Sequence, residues 1–275
     1  MNPQLEMPIL RVVSSDTLVL HEDADPRRVA RLTERLREDG IIKNPPIVAP
    51  LGDGRYVVLD GANRVSGLWA LGVPHALVQV VDYDRVELDT WYHLLTGMDR
   101  TRLFAAVRDV PGVQVTRTSL DVARAELEAR RSLAYLVCPA GDVYSLAGGA
   151  SLGDGARILV GISNVYRGAA NIHRVRIDDM RGLTRMYDDV AALVVYPPFT
   201  RADILALARD SAKVPTGITR HIIPGRVLRV NLPLTVLTDD RSLDDKNEWL
   251  KAWEKEKLAQ KAVRFYAEST YLFDE

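Results

Sequence analysis

A run of apolar and β-branched residues, Tyr56-Val57-Val58-Leu59, stops at Asp60-Gly61, and an apolar spacing of three to four starts at once at Val65, Leu68 and Trp69. A strand pattern that becomes a helix pattern across a single glycine predicts a buried strand, a tight turn and an amphipathic helix. Gly61 lets the backbone reverse sharply, and the amides of Ala62, Asn63 and Arg64 become the free donors of a helix N-terminus. Such a terminus attracts anions, and Arg64 adds a planar charged fork suited to phosphate. Asp60 stands at the strand's end, where a carboxylate can hold a metal ion or a proton. The five residues outline a nucleotide-phosphate site.

The flanking sequence predicts the scaffold for that turn. Two short apolar stretches lie between Ile9 and Leu20, ending in His21-Glu22. Asp25 then caps a helix that opens with Pro26, buries Val29, Leu32 and Leu36, and stops at Gly40. Gly52-Asp53-Gly54 joins two strands as a hairpin, and Ala76 to Val81 reads as another strand. Further along, Ser119 to Arg131 and Asp203 to Ala212 are expected as helices, and Ala140-Gly141 as the turn of a second hairpin. Ser145 to Gly155 is expected as a flexible loop, Ile162 to Val175 as a helix, and Ala191 to Tyr196 as a strand. Gly217 to Leu237 reads as strands broken by Pro224-Gly225 and Pro233. Ser242 to Arg264 is a charged helix carrying five of the chain's seven lysines, with Trp249, Trp253 and Leu258 turned inward. The expected fold class is α+β, divided into a unit over residues 1–88 and an α/β unit over 89–275.

Composition narrows the function classes. The chain has 275 residues, 47% hydrophobic and 27% charged, with a net charge of −1. That balance supplies no global basic field for nucleic acid or an anionic membrane. No apolar run approaches the roughly 20 residues of a membrane span, and Met1 to Glu6 lacks the opening of a secretion signal. Cys138 is the single cysteine, so disulfides and cysteine-rich metal sites within one chain are excluded, and its apolar neighbours predict a buried core thiol. A cytoplasmic enzyme or regulator is expected.

Several side chains can do chemistry near the turn. Glu22 follows an apolar strand, where it reads either as the base for a substrate hydroxyl or as a surface loop acid. Asp60 can bridge a divalent ion to phosphates or satisfy its own turn amides. Asn44-Pro45-Pro46 suits a rigid turn, and His75 and His93 read as structural. Thr219-Arg220-His221, after Pro215-Thr216-Gly217, places a hydroxyl, a guanidinium and an imidazole together as a clamp for a carboxylate or phosphate, or as an exposed strand edge. Trp91 and Tyr92 can wall a pocket or fill a core.

At these residues the chain resembles a known group. Val12 to Tyr83 is similar to the ParB/sulfiredoxin fold, with Asp60-Gly61-Ala62-Asn63-Arg64 at its phosphate-binding turn. Within that superfamily it resembles the free L-serine kinases, which include the archaeal ADP-dependent enzyme and the siderophore-cluster O-phospho-L-serine synthases, the latter also described as regulators. His21-Glu22, Lys43 to Val48, Val57 to Gly61, Gly217 to His221 and the tail from Phe265 to Glu275 carry the likeness. The resemblance implies transfer of a phosphoryl group from ADP or ATP, with Mg²⁺, to the hydroxyl of free L-serine. It implies Glu22 as base, Asp60 at the nucleotide phosphates and Mg²⁺, Gly61 to Arg64 as the phosphate cradle, and Trp91, Thr219, Arg220 and His221 at the amino acid.

One departure stands out. That family typically reads Asp-Gly-His-His-Arg, and here Ala62 and Asn63 replace both histidines. Alanine cannot donate to a phosphate oxygen; asparagine can, through its amide. Sulfiredoxin chemistry is excluded, because it needs a cysteine where Ala62 stands. The alternatives are a ParB-like DNA-binding regulator, which the dispersed arginines and slightly negative charge oppose, and a non-catalytic nucleotide or amino-acid sensor.

Overall fold

The computed structural model describes residues 7–266; the opening residues Met1 to Glu6, and all but Phe265 and Tyr266 of the tail expected to carry family likeness, lie outside them. The first part of the chain contains β1 (Ile9–Ser14), β2 (Leu18–Leu20), α1 (Pro26–Asp39), β3 (Ile41–Ile42), β4 (Ile47–Pro50), β5 (Tyr56–Asp60), α2 (Ala62–Ala70) and β6 (His75–Val80). Its five-stranded sheet has the order β1-β6-β4-β5-β2, with β6 parallel to β4 and β2 parallel to β5. Asp25 caps α1 by accepting from the amides of Arg27 and Arg28, Pro26 occupies its first position, and Gly40 closes it with φ +63°.

The second part contains β7 (Glu87–Thr90), β8 (Tyr92–Thr96), α3 (Arg100–Arg108), β9 (Gln114–Thr118), α4 (Leu120–Glu128), β10 (Ala134–Val137), β11 (Val143–Ala147) and α5 (Leu152–Tyr166). It continues through β12 (Asn171–Val175), α6 (Met180–Met186), β13 (Val190–Val195), α7 (Arg201–Arg209), β14 (Thr219–Ile222), β15 (Leu232–Pro233), α8 (Leu234–Thr238) and α9 (Leu243–Ala259). Six strands form an antiparallel sheet in the order β12-β8-β13-β10-β11-β9. The fold is α+β.

Burial on both faces explains why the central strands read as unbroken apolar runs. Leu95, Leu136 and Val194 pack against α3, α5 and α7, while their neighbours Leu94, Tyr135 and Leu193 pack against α4 and α6. The first sheet divides its side chains in the same way. Val48 and Val58 face a core with Val65 and Leu68 of α2, whereas Ile47, Ala49, Val57 and Leu59 join the large core of the second part. The two sheets therefore share apolar contacts along a common seam.

The end of the chain returns to the first sheet. β15 pairs with β3, and Leu232, Val236, Leu237 and Leu250 are buried in the core that contains Val12 and Val78. Asn247 of α9 accepts from the Val12 amide and donates to its carbonyl. Lys246 of the same helix is fully buried, with its ammonium 2.9 Å from His75 Nδ1, 3.1 Å from the Leu237 carbonyl and 2.8 Å from that of Asp239. We propose that the two units follow the sheets, with residues 232–250 counted with the first.

Four local expectations need correction. The stretch from Ser145 to Gly155 is the end of β11 and the start of α5, because Ser151 caps that helix by accepting from the Asp154 amide. The span from Ile162 to Val175 is half helix and half strand. Helix α5 ends at Tyr166, Gly168 turns the chain with φ +81°, and Asn171 to Val175 pairs with β8. Within Gly217 to Leu237, residues 234–238 are helical after Pro233. Trp249 and Trp253 pack against the first core, but Leu258 is exposed one turn beyond the last contact. Among the described residues no helix is long and apolar enough to cross a membrane.

The buried ammonium makes α9 a sensitive part of the first unit. Lys246→Ala removes the ammonium donor from the Leu237 and Asp239 carbonyls at the packed end of the sheet. It should lower stability by about 2–4 kcal/mol, read from urea unfolding. A loss within the scatter of a surface substitution would mean that water replaces the ammonium.

Candidate active site

Three connections converge on the seam between the sheets. Asp60 ends β5 and Gly61 begins the turn into α2. His21 and Glu22 follow β2, the strand beside β5. A strap over residues 214–222 crosses from the second part: the Val214 amide donates to the His21 carbonyl at 2.9 Å, and the Asp23 amide to the Val214 carbonyl at 3.0 Å. The strap then pairs as β14 with β7, while the Trp91 amide donates to the Ile218 carbonyl. A cavity of about 600 Å³ opens where they meet. Glu22, Asp60, Gly61, Ala62, Asn63, Arg64, Trp91, Thr219, Arg220 and His221, all named from sequence, line it.

The turn presents an uncapped helix start. Gly61 has φ +97°, and no side chain caps α2, so its first amides are directed outward as donors. A Cβ on Gly61 would lie 3.1 Å from Arg64 Nε and 3.1 Å from Pro46 Cα, so the guanidinium lies against the bare glycine. Arg64 is held firmly. Its Nη1 donates to the carbonyls of Asn44 and Pro45 at 2.8 and 3.1 Å, and its Nη2 to Asp60 Oδ2 at 2.7 Å. The rigid Asn44-Pro45-Pro46 turn thus supplies backbone acceptors. Asp60 Oδ2 also accepts from Arg226 at 2.9 Å. Burial pushes the Asp60 carboxyl up, but the charges of Arg64 and Arg226 outweigh it and hold the group below its ordinary value. Asn63 Oδ1 accepts from the Asp25 amide at 2.8 Å, tying the turn to the start of α1.

Glu22 is gripped from the strap. Oε1 accepts from the Gly217 amide and Oε2 contacts the Thr219 hydroxyl, each at 2.6 Å. Burial raises its pKa above 4.5, and these hydrogen bonds and the nearby Arg174 charge only partly offset that. Gly217 has φ +77°, where other residues are strained, and a Cβ there would lie 2.0 Å from an Arg174 nitrogen and displace that side chain. His21 is buried between the same strap and β5. Its Nδ1 lies 2.7 Å from the Val58 carbonyl and its Nε2 lies 3.0 Å from the Thr219 hydroxyl.

Burial lowers the His21 pKa to about 4, so the ring is neutral at ordinary pH. A carbonyl only accepts, which puts the ring proton on Nδ1 and leaves Nε2 as an acceptor. The Thr219 proton therefore serves one of two acceptors. When Glu22 is ionised, Thr219 donates to it. When Glu22 is protonated, Glu22 donates to Thr219 and Thr219 donates to His21. A proton arriving on Glu22 is thus accommodated by turning one hydroxyl. His221, edge-on to His21 at 5.2 Å between ring centres, is held to about 3 by burial and by that neighbour, and its Nε2 meets the Tyr83 hydroxyl at 2.9 Å.

The other walls are basic. Arg220 stacks over Trp91, 4.8 Å from the ring centre, and pairs with Asp89 at 3.2 Å. Arg28, Arg31 and Arg35 of α1 line the cavity, as do Arg174 of β12 and Arg226. The sequence reading missed these five. For the three in α1 a signal existed, since spacings of three and four put them on one helical face beside the Val29-Leu32-Leu36 stripe. Arg174 fell inside the misread helix, and Arg226 in a loop with no local pattern. Among the described residues no group of three or more His, Cys, Asp or Glu side chains is arranged to hold a metal ion.

Known proteins resemble this chain in sequence and in fold. No protein-family model matches the chain. It is 25% identical over 267 residues to the ATP-dependent L-serine kinase SbnI of Staphylococcus aureus, covering 97% of each chain. It is 24% identical over 243 residues to an ATP-dependent L-serine kinase of Staphylothermus marinus, covering 86% of this chain and 95% of that one. The solved structure of C-terminally truncated SbnI from Staphylococcus aureus superposes with a TM-score of 0.67 at 24% identity, covering 92% of this chain and 97% of that one. A free serine kinase in complex with AMP superposes with a TM-score of 0.72 at 19% identity, covering 86% and 98%. In fold, and in sequence along nearly its whole length, the chain is similar to the free L-serine kinases.

Proposed function

We propose that this chain is a free L-serine kinase, transferring the terminal phosphoryl group of ATP or ADP to the serine hydroxyl and yielding O-phospho-L-serine. The observation that carries this reading is the placement of a raised-pKa carboxylate, Glu22, in one cavity with an uncapped helix start and seven arginines. The basic walls suit a polyphosphate although the chain as a whole carries a net charge of −1. The cavity also has the size of a small-molecule site. Use of a nucleotide donor fits a cytoplasmic protein.

The residues divide the reaction between them. Glu22 takes the proton of the serine hydroxyl as its oxygen forms a bond to phosphorus and the bond to the leaving phosphate oxygen breaks. Thr219 and His21 receive the hydrogen-bond change that follows. The amides of Ala62, Asn63 and Arg64 hold the nucleotide phosphates at the start of α2. Arg220, stacked on Trp91, faces the amino acid's carboxylate, with His221 behind the Glu22 strap. Arg28, Arg31 and Arg35 extend the positive wall along α1. Phosphoryl-transfer enzymes commonly hold Mg²⁺ through one or two carboxylates plus substrate phosphates, and Asp60, at the phosphate turn, fits as that protein ligand. The ion would neutralise charge on the phosphates.

Replacing the base separates binding from transfer. Glu22→Gln should reduce phosphoserine formation by about 10²–10⁴-fold, as loss of a general base does. Nucleotide affinity, measured by calorimetry, should stay close to that of the unaltered protein. Phosphoserine formed at an undiminished rate, detected by mass, would remove Glu22 from this role.

The pH profile follows from the direction of the Glu22 shift. The ionised form is the base, so kcat/KM rises with pH and is lost as pH falls through the raised pKa. Its acid limb should therefore lie above 4.5. The Thr219 hydroxyl lowers that pKa, so Thr219→Val should move the limb further upward. Neutral imidazoles at His21 and His221, with values of about 4 and about 3, do not set it. An acid limb at or below 4.5, or one unmoved by Thr219→Val, contradicts the assignment.

A further inference from the structure

The groups around Asp60 are not equally available to a ligand. Arg64 spends its fork on two carbonyls and on Asp60. Ala62 has no polar side-chain atom, and Asn63, whose carbonyl accepts from the Asp25 amide, offers a neutral amide as its side-chain donor. Arg226 shares the Asp60 acceptor but is held differently. It arrives on a loop whose backbone is pinned on either side by the side chain of Gln79 in β6: Gln79 donates to the Gly225 carbonyl at 3.0 Å and accepts from the Val227 amide at 2.9 Å. Its base is therefore fixed. Its guanidinium is held by the Asp60 carboxylate, an acceptor that Arg64 already serves. The Arg226 side chain is 39% exposed, against 20% for Arg64.

We propose that Arg226 is the phosphate-binding cation of the turn: it leaves Asp60 when nucleotide binds and donates to the phosphoryl oxygens, supplying a charged side-chain donor where Ala62 has none. The inference rests on the serine-kinase reading for its acceptor but not for its nucleotide. A guanidinium moving from one shared carboxylate oxygen to a phosphate exchanges a contested acceptor for an uncontested, more highly charged one. Asp60 stays paired with Arg64 and is relieved of one of its two cations. The move needs only side-chain rotation, since the backbone of residues 225–227 is held by Gln79.

The test measures both transfer and binding on the full chain. Arg226→Ala should lower kcat by about 10²-fold, the usual effect of removing one donor to developing charge. It should leave the KM for L-serine near that of the unaltered protein. Titration with ADP should show at least tenfold weaker binding, while Arg226→Lys, which keeps charge but not the fork, should recover part of each loss. A second variant, Arg226→Ala with Ala62→His and Asn63→His, restores side-chain donors at the turn and should recover kcat above the single variant. If Arg226→Ala keeps kcat and ADP affinity within about threefold of the unaltered protein, the proposal is overturned. If the unaltered protein binds ADP but makes no phosphoserine, the serine-kinase reading fails while the ADP titration still decides the role of Arg226. If it binds neither ADP nor ATP, both fail.

Discussion

The grip of the 214–222 strap on Glu22 is the constraint from which the site follows. One carboxylate receives a backbone amide from Gly217 and contacts the Thr219 hydroxyl, while the main chain of His21 to Asp23 bridges to Val214. Residues almost two hundred positions apart are thereby fixed to within hydrogen-bond distance. The shared apolar seam makes this tolerable, because Val57 and Leu59 of β5 pack into the same core as Ile218. A buried carboxylate without those donors would carry a large desolvation penalty. With them it stays ionisable, but at a pKa above its ordinary value, which suits a base.

Charge is arranged against the bulk property of the chain. Acidic and basic residues nearly cancel overall, yet seven arginines against Glu22, Asp23 and Asp60 line the cavity. Focusing one sign into a concave site raises local anion concentration without giving the outer surface a general affinity for polyanions. This argues for a small anionic ligand over a DNA duplex, which needs its cations on an accessible face. The same focusing restrains Asp60: the charges of two guanidiniums hold its carboxyl below its ordinary value.

Much of this site was legible because its parts are local. A strand, a glycine and a helix in immediate succession dictate the phosphate turn, and Asp25-Pro26 with Gly40 brackets α1 by capping alone. The clamp at Thr219-Arg220-His221 was visible as a cluster, but not its geometry. Thr219 and His221 lie with Glu22 and His21, whereas Arg220 turns to Trp91. What sequence missed is non-local. β12 resembles a continuation of α5 until pairing with β8 makes it a strand, and Arg174 faces the cavity only in that setting. Arg226 has no periodic context, and its position depends on Gln79, far earlier in the chain.

The Ala62-Asn63 pair bears on how such a turn can change without losing its purpose. The backbone amides at the start of α2 do not depend on which side chains follow Gly61, provided that glycine keeps its left-handed conformation. Asn63 is used structurally, its carbonyl fixing α1 against the turn and so setting the distance from the phosphate cradle to Arg28 and Arg31. Side-chain donors can then come from another element, because a phosphate is read by charge and direction rather than by the donor's place in the sequence. The loop carrying Arg226 reaches the same carboxylate as Arg64 from the opposite end of the chain. The substitution at the turn therefore leaves the amides of α2 in place, with two guanidiniums gathered on the carboxylate beside them.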